Sequence, residues 1–163
     1  MLSTLESLLR RTRQHHAIEH ATLHVLAARL PGRPLSGYSD PLGFTIFGDV
    51  DEADVRRAVG DALLRLQAGE SGLAIHPNCG TGLVVSGVFA TLAGFLAAYS
   101  PARRLDRFAN GVVLVILALI LAKPVGLQLQ EYTTLAEVGD RWVIDVRPFV
   151  LGNLRGMRVA FEL

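Results

Sequence analysis

Hydrophobic residues are concentrated in the middle of the chain, in two uncharged runs separated by a short arginine-rich loop. The first run, residues 82–99, has eighteen residues without a charge. At about 1.5 Å per residue this gives a helix of roughly 27 Å, which nearly matches the hydrocarbon core of a bilayer. The second run, residues 108–122, is shorter and spans fully only if Lys123 snorkels to the interface. The pattern predicts a hairpin of two transmembrane helices.

The competing interpretation of these two runs is a soluble domain that buries a helical hairpin in its core. A chain of 163 residues, half of them hydrophobic, has too little other surface to cover two wholly apolar helices. We therefore predict an integral membrane protein, with the lipid bilayer as its first partner.

Small residues follow one face of the first apolar run. They recur at every fourth position and are Ser86, Ala90, Gly94 and Ala98. Such a stripe lets another helix approach closely. The helix that packs there is either the second run of the same chain, most simply residues 111–122, or one from a membrane-protein partner or a second copy.

The patterns before the first apolar run predict a compact α+β domain of residues 1–81. A long stretch without Pro or Gly indicates a helix, turn-forming residues join two short strands, and an Asp-capped amphipathic segment indicates a second helix. A brief strand is expected next. The predicted order is helix, β-hairpin, helix and short strand. They cover residues 3–30, 36–47, a second helix that Asp49 or Asp51 caps and that ends at residues 68–69, and residues 73–75.

Two segments after the second apolar run alternate apolar and polar residues, as half-buried strands do. They are residues 141–147 and 158–163. Because both ends of a two-span hairpin lie on one side of a bilayer, these strands are expected to complete the sheet of the first domain. The predicted organisation is an α+β metal-binding domain, a transmembrane hairpin and C-terminal strands that pack on the domain, over residues 1–81, 82–122 and 123–163.

The predicted first helix carries an H-x-x-E-H motif, which consists of His16, Glu19 and His20. Residues four apart leave the same face of a helix, so the two imidazoles can bind one ion. Glu19 flanks that face. His24 continues the histidine stripe, and we interpret it as an ordinary surface or core histidine.

A second motif, H-P-N-C-G-T, precedes the first apolar run and contains His76 and the chain's single cysteine, Cys79. Two ligands three residues apart in a tight turn suit zinc. Taken singly, Cys79 could be a small buried residue and His76 a turn histidine. Taken together with His16 and His20, they predict a four-residue Zn²⁺ site.

The combination of H-x-x-E-H with a later H-P-x-C-G-T and a hydrophobic span resembles a group of uncharacterised bacterial membrane proteins described as metal-dependent enzymes. The specific part of the resemblance covers residues 14–22 and 75–99. It implies metal binding at His16, His20, His76 and Cys79, and it supplies no substrate.

A shorter similarity, to the H-x-x-E-H motif of inverzincin metallopeptidases, covers five residues. It implies that Glu19 activates a metal-bound water. This chain is far shorter than those enzymes and has no clear downstream helix for their third ligand, although Glu52 and Glu70 are available.

Three functions remain open from the sequence. A closed four-ligand site would make zinc a structural element, with Glu19 orienting a histidine. Three ligands and an open position would suit a membrane-anchored zinc hydrolase with Glu19 as the catalytic general base. The third alternative is an assembly subunit of a membrane complex.

Charge narrows the location and partners of the protein only slightly. The formal net charge is +1, and no basic stripe with interleaved aromatic residues predicts nucleic-acid binding. Residues 1–30 contain charges instead of a short apolar core, so we expect no cleavable signal peptide. Basic residues are balanced between the two ends of the spans. We expect the water-facing domain to be cytoplasmic, because its export without a signal peptide is the harder route.

Overall fold

A computed structural model describes residues 2–162 of the chain. Four α-helices and four β-strands are present within this range, with one 3₁₀ helix between the second and third α-helices. In chain order they are α1 (Leu2–Arg29), β1 (Ser36–Asp40), β2 (Gly43–Phe47), α2 (Glu52–Gln67), the 3₁₀ helix (Ser71–Ala74), α3 (Gly80–Ala98), α4 (Arg104–Thr133), β3 (Val143–Leu151) and β4 (Leu154–Phe161).

The described residues divide into two compact units. The first unit comprises residues 2–76 and 132–162 and contains the antiparallel sheet, in the order β1-β2-β4-β3. Helices α1 and α2 pack together over a shared apolar core. The largest hydrophobic side chains buried there are Ile18, Leu26, Phe44 and Ile46. The C-terminal strands thus complete the sheet begun by the N-terminal hairpin, as the alternating pattern predicts.

The second unit, residues 77–131, consists of α3 and most of α4. A Cβ placed on Gly126 would lie 3.0 Å from the Cα of Gly82, and one on Gly111 would lie 3.2 Å from the Cβ of Ala97. These two close approaches fix an antiparallel pair. The helix of residues 111–122 is therefore a partner of α3 within the chain.

Both α3 and α4 are long and apolar enough to span a membrane. In their most apolar windows only 17% and 11% of the residues are buried inside the structure. A buried core hairpin would show the opposite, because the core of a water-soluble protein covers its apolar helices. The two helices therefore expose an apolar surface that requires another environment.

The structure confirms the α+β fold class and corrects two details of the secondary structure. Residues 73–75 do not form a strand, because the 3₁₀ helix Ser71–Ala74 takes their place. The carbonyls of Ala74 and Ile75, at its end, accept hydrogen bonds from histidine rings. The second apolar helix extends well beyond residues 108–122 and continues through Pro124 to Thr133. Proline removes one backbone hydrogen bond without ending so long a helix.

The last two strands are longer than the alternating segments suggest. They meet at a tight turn that contains Gly152, whose φ of 59° favours glycine. The apolar residues 149–151 therefore belong to β3 rather than to a loop. Leu163, the last residue of the predicted C-terminal strand, lies outside the described residues.

Candidate metal centre

The two histidines of the H-x-x-E-H motif lie on one face of α1, one turn apart. Their ring centroids are 4.4 Å apart, and the rings meet edge to face. His20 is buried and His16 is half-buried. The neighbouring Ala17 and Ile18 are fully buried in the core, so packing of the helix fixes the direction in which both rings leave it.

A backbone carbonyl orients each of these two rings. The Nδ1–H of His16 donates to the carbonyl of Thr133 at 3.1 Å, and that of His20 donates to the carbonyl of Ala74 at 2.6 Å. A carbonyl oxygen can only accept, so the ring proton lies on Nδ1 and the lone pair on Nε2. Metal-binding histidines are typically held in this way, with one nitrogen bonded to a carbonyl and the other directed at the ion.

His76 joins the same cluster from the segment that follows the 3₁₀ helix. Its ring centroid lies 5.7 Å from that of His20 and 4.7 Å from that of His24. Burial, with smaller contributions from His24 and His20, lowers the pKa of His76 to about 4. The imidazole is therefore neutral at pH 7, which is the form that binds a metal ion.

His24 belongs to the cluster although the sequence analysis interprets it as an ordinary histidine. Its Nε2–H donates to the carbonyl of Ile75 at 2.9 Å, so its lone pair lies on Nδ1. The signal for this placement was available, since His16, His20 and His24 recur at every fourth residue. What the spacing could not show is that residues 74–76 lie against this face of the helix.

Cys79 is buried at the start of α3, in the second unit, where its Sγ accepts a hydrogen bond from the Thr81 backbone N–H at 3.4 Å. Three residues of chain keep its Cα within about 11 Å of that of His76. Two imidazoles and a thiolate, as His16, His20 and Cys79 supply, are a donor set that could bind a metal ion.

Glu19, the predicted general base, is held by the first strand of the sheet. It is only 5% exposed, and the hydroxyl of Ser39 donates a short hydrogen bond to its carboxylate. A Cβ on Gly37 would lie 2.6 Å from the carboxyl carbon of Glu19, so only glycine leaves room for the side chain. Neither Ser39 nor Gly37 forms part of a motif, so the sequence contains no signal that assigns them to the site.

The other acidic residues considered as third ligands form ion pairs on the surface. Glu52 accepts a hydrogen bond from Arg56 at 2.9 Å, and Glu70 accepts two from Arg65, at 2.9 and 2.5 Å. Both pairs are about half exposed. These ion pairs account for the positions of both carboxylates without a metal ion.

His15 has a different environment from its neighbour His16. Its ring is buried and stacks on Phe161 with a centroid distance of 4.7 Å, and its Nδ1–H donates to the carbonyl of Asp40 at 2.9 Å. Burial is the main cause of its lowered pKa. Successive helical residues point about 100° apart, so His15 packs against the sheet while His16 lies in the histidine cluster.

Comparison with known proteins gives a family without a known function. A family model described as "Domain of unknown function (DUF6391)" matches residues 11–146. An uncharacterized protein of Picosynechococcus sp. is 40% identical over 134 residues, which are 76% of this chain and 65% of the relative. The chain thus spans slightly less than two thirds of that relative's length. No solved structure matches significantly.

Proposed function

The chain belongs to the DUF6391 family, a domain of unknown function, and from its own residues we propose that it is an integral membrane protein with a zinc site. In this proposal α3 and α4 cross the bilayer, and one Zn²⁺ ion is bound by His16, His20, His76 and Cys79. Imidazole nitrogens together with a thiolate suit zinc, whereas calcium and magnesium prefer oxygen ligands.

The observation that carries the zinc proposal is the anchoring of the rings by backbone carbonyls. His16 and His20 each use Nδ1–H for a carbonyl, which leaves Nε2 with the lone pair a metal needs. Two independent parts of the chain supply these carbonyls: the end of α4 and the end of the 3₁₀ helix. Folding of the first unit thus fixes the rings of these two histidines before an ion arrives.

We assign the ion a structural role. Four protein ligands complete a tetrahedron and leave no position for water. The ion would then tie α1 to the segment that leads from the 3₁₀ helix into the first apolar helix, and its binding energy would add to the stability of the fold. Glu19, which accepts a hydrogen bond from Ser39, would support the helix that carries both histidines.

The second candidate is a membrane-anchored zinc hydrolase. The observation that favours it is the buried, firmly held carboxylate of Glu19 on the helix that carries His16 and His20. With three protein ligands the fourth position would hold water, and Glu19 would act as its general base. The two candidates therefore differ in the number of ligands, which is measurable.

The test is the metal content of the detergent-purified full-length protein, measured by elemental analysis of wild type, His20→Ala, His76→Ala and Cys79→Ser. His24→Gln is the matched control, because it removes a ring from the same helix face without removing a proposed ligand. The expected result is one zinc ion per wild-type and control chain, and loss of zinc in the other three variants.

Other outcomes of this experiment distinguish the candidates. Zinc that persists in either His76→Ala or Cys79→Ser means that three ligands suffice, and hydrolase activity of wild type against Glu19→Gln is then the decisive comparison. Wild type without any bound metal overturns the proposal altogether. Circular dichroism of each variant separates loss of a ligand from loss of the fold.

Two consecutive spans return the chain to the side on which it started, so residues 1–76 and 132–163 would share one side of the bilayer. We also propose that this side is the cytoplasm. The balance of basic residues between the two ends of the spans does not decide the orientation by itself. A C-terminal reporter that is active only in the cytoplasm tests it, and activity of a periplasmic reporter at the same point would contradict it.

A further inference from the structure

The helical unit contains a small cavity of ≈ 340 Å³ near the beginning of α3. Gly82 and Gly126 bring the two helices together there, and the cavity lies beside this crossing. Its lining combines the three leucines Leu83, Leu119 and Leu127 with several polar side chains, among them Ser86, Lys123 and Gln130. Cys79, a proposed zinc ligand, also belongs to the lining, but the inference drawn from the cavity uses other residues and does not rest on the zinc proposal.

Lys123 is the residue that requires an explanation. It is the only lysine among 16 basic residues, and it is the only charged residue between Arg107 and Glu131. The ion pairs of the described residues do not include it. Lys123 is exposed near the end of the apolar run, so its ammonium can reach the membrane interface and meet an anionic group there.

We propose that the cavity binds the anionic head group of an amphiphile, with the ammonium of Lys123 as its counter-ion. A carboxylate or phosphate would balance the positive charge of Lys123. Basic pockets between membrane helices bind anionic lipid head groups for this reason. The hydroxyl of Ser86, on the facing helix α3, is a hydrogen-bond donor in the same lining, which also includes the buried Gln130.

The apolar part of the lining defines the rest of the ligand. Leu83 and Leu119 are strongly exposed on the outside of the helix pair, so the cavity opens onto an apolar surface on which an acyl chain can lie. Its volume is at the lower end of ligand pockets, which are roughly 300–1,000 Å³. It therefore holds a head group, and the hydrocarbon tail stays outside.

Native mass spectrometry of the detergent-solubilised full-length protein, titrated with phosphatidylglycerol or phosphatidylcholine, tests the proposal. The first phosphatidylglycerol should bind about tenfold more weakly to Lys123→Gln than to wild type, because a charged hydrogen bond is lost. Lys123→Arg should retain binding, and Arg103→Gln is the control that removes one positive charge outside the cavity. Ser86→Phe, which fills the cavity without changing the charge, should weaken binding as much as Lys123→Gln.

A second measurement on wild type avoids any dependence on how the variants fold. Because the chain has one lysine, acylation of Lys123 by an amine-reactive reagent can be followed by peptide mass spectrometry. Phosphatidylglycerol or oleate should slow the reaction, whereas inorganic phosphate and phosphatidylcholine should not. Equal protection by inorganic phosphate would assign the cavity to a free anion and overturn the amphiphile. Equal binding of both lipids to wild type and Lys123→Gln would overturn the site.

Discussion

Replacing Gly37 by alanine tests whether β1 fixes the Glu19 carboxylate in place. A Cβ at this position would lie 2.6 Å from Cδ and 2.8 Å from Cγ of Glu19, whereas ordinary contact begins at 3.4 Å. The carboxyl carbon must therefore retreat by roughly 0.8 Å, the gap between 2.6 and 3.4 Å, and Oε1, which would lie nearer still, must retreat further. Because Glu19 is nearly completely buried, it has little room in which to do so.

The cost follows from the hydrogen bond that the displacement breaks. The Ser39 hydroxyl donates to the Glu19 carboxylate, and a hydrogen bond to a charged group contributes about 1.5–3 kcal/mol. Alanine is favoured over glycine in a strand by roughly 0.5–1 kcal/mol, which offsets part of this loss. We expect Gly37→Ala to lower the free energy of unfolding by about 1–2 kcal/mol, which lowers the melting temperature by several degrees.

A double-mutant cycle with Glu19→Ala provides the control. When the carboxylate is absent the clash is absent, so Gly37→Ala should be neutral or stabilise by up to about 1 kcal/mol in that background. Thermal unfolding of the detergent-solubilised protein, followed by circular dichroism, measures all four members of the cycle. Equal destabilisation by Gly37→Ala in both backgrounds would refute the contact between Gly37 and Glu19.

Two further predictions concern stability. Gly156→Ala should destabilise by about 3 kcal/mol or more, because its Cβ would lie 3.0 Å from the carbonyl carbon of Ile46 and the backbone of a central strand cannot move away. Gly60→Ala, in a helix with open space around it, should raise the free energy of unfolding by about 0.5–1 kcal/mol. Thermal melts in which both substitutions shift the melting temperature in the same direction would contradict the packing around the two glycines. In chelator-treated protein, His76 should lower the free energy of unfolding as the pH falls from 6.5, the ordinary pKa of histidine, toward about 4, the pKa of His76 in the folded protein. In this window the unfolded chain binds the proton first, so pH-dependent melts of His76→Gln should show a shallower slope than wild type.

The fold was largely predictable from the sequence, because its elements have strong local patterns. The uncharged runs, the long stretch without Pro or Gly and the alternating C-terminal segments each depend on the residues of one element. The prediction of a strand at residues 73–75 was wrong because of tertiary contacts. The carbonyls of Ala74 and Ile75 accept hydrogen bonds from His20 and His24, and no strand within residues 2–162 pairs with them.

The candidate site was predictable only in part. The spacing of His16 and His20 places them on one helix face whatever the rest of the chain does. The proximity of His76 to His20 and His24 depends on how the 3₁₀ helix packs on α1. Motif reasoning cannot find the residues that hold a site in place, such as Ser39 and Gly37, because they contact Glu19 from a separate strand.

By itself the sequence determined the α+β class, the two apolar helices and the residue types that could bind zinc. These properties follow from periodicity, charge and side-chain chemistry, which are local. The tertiary structure alone decided that backbone carbonyls from distant segments orient His16 and His20, that His24 lies beside His76 and that Lys123 lines a cavity. Such contacts join residues far apart along the chain, and they exist only once packing has brought those residues together.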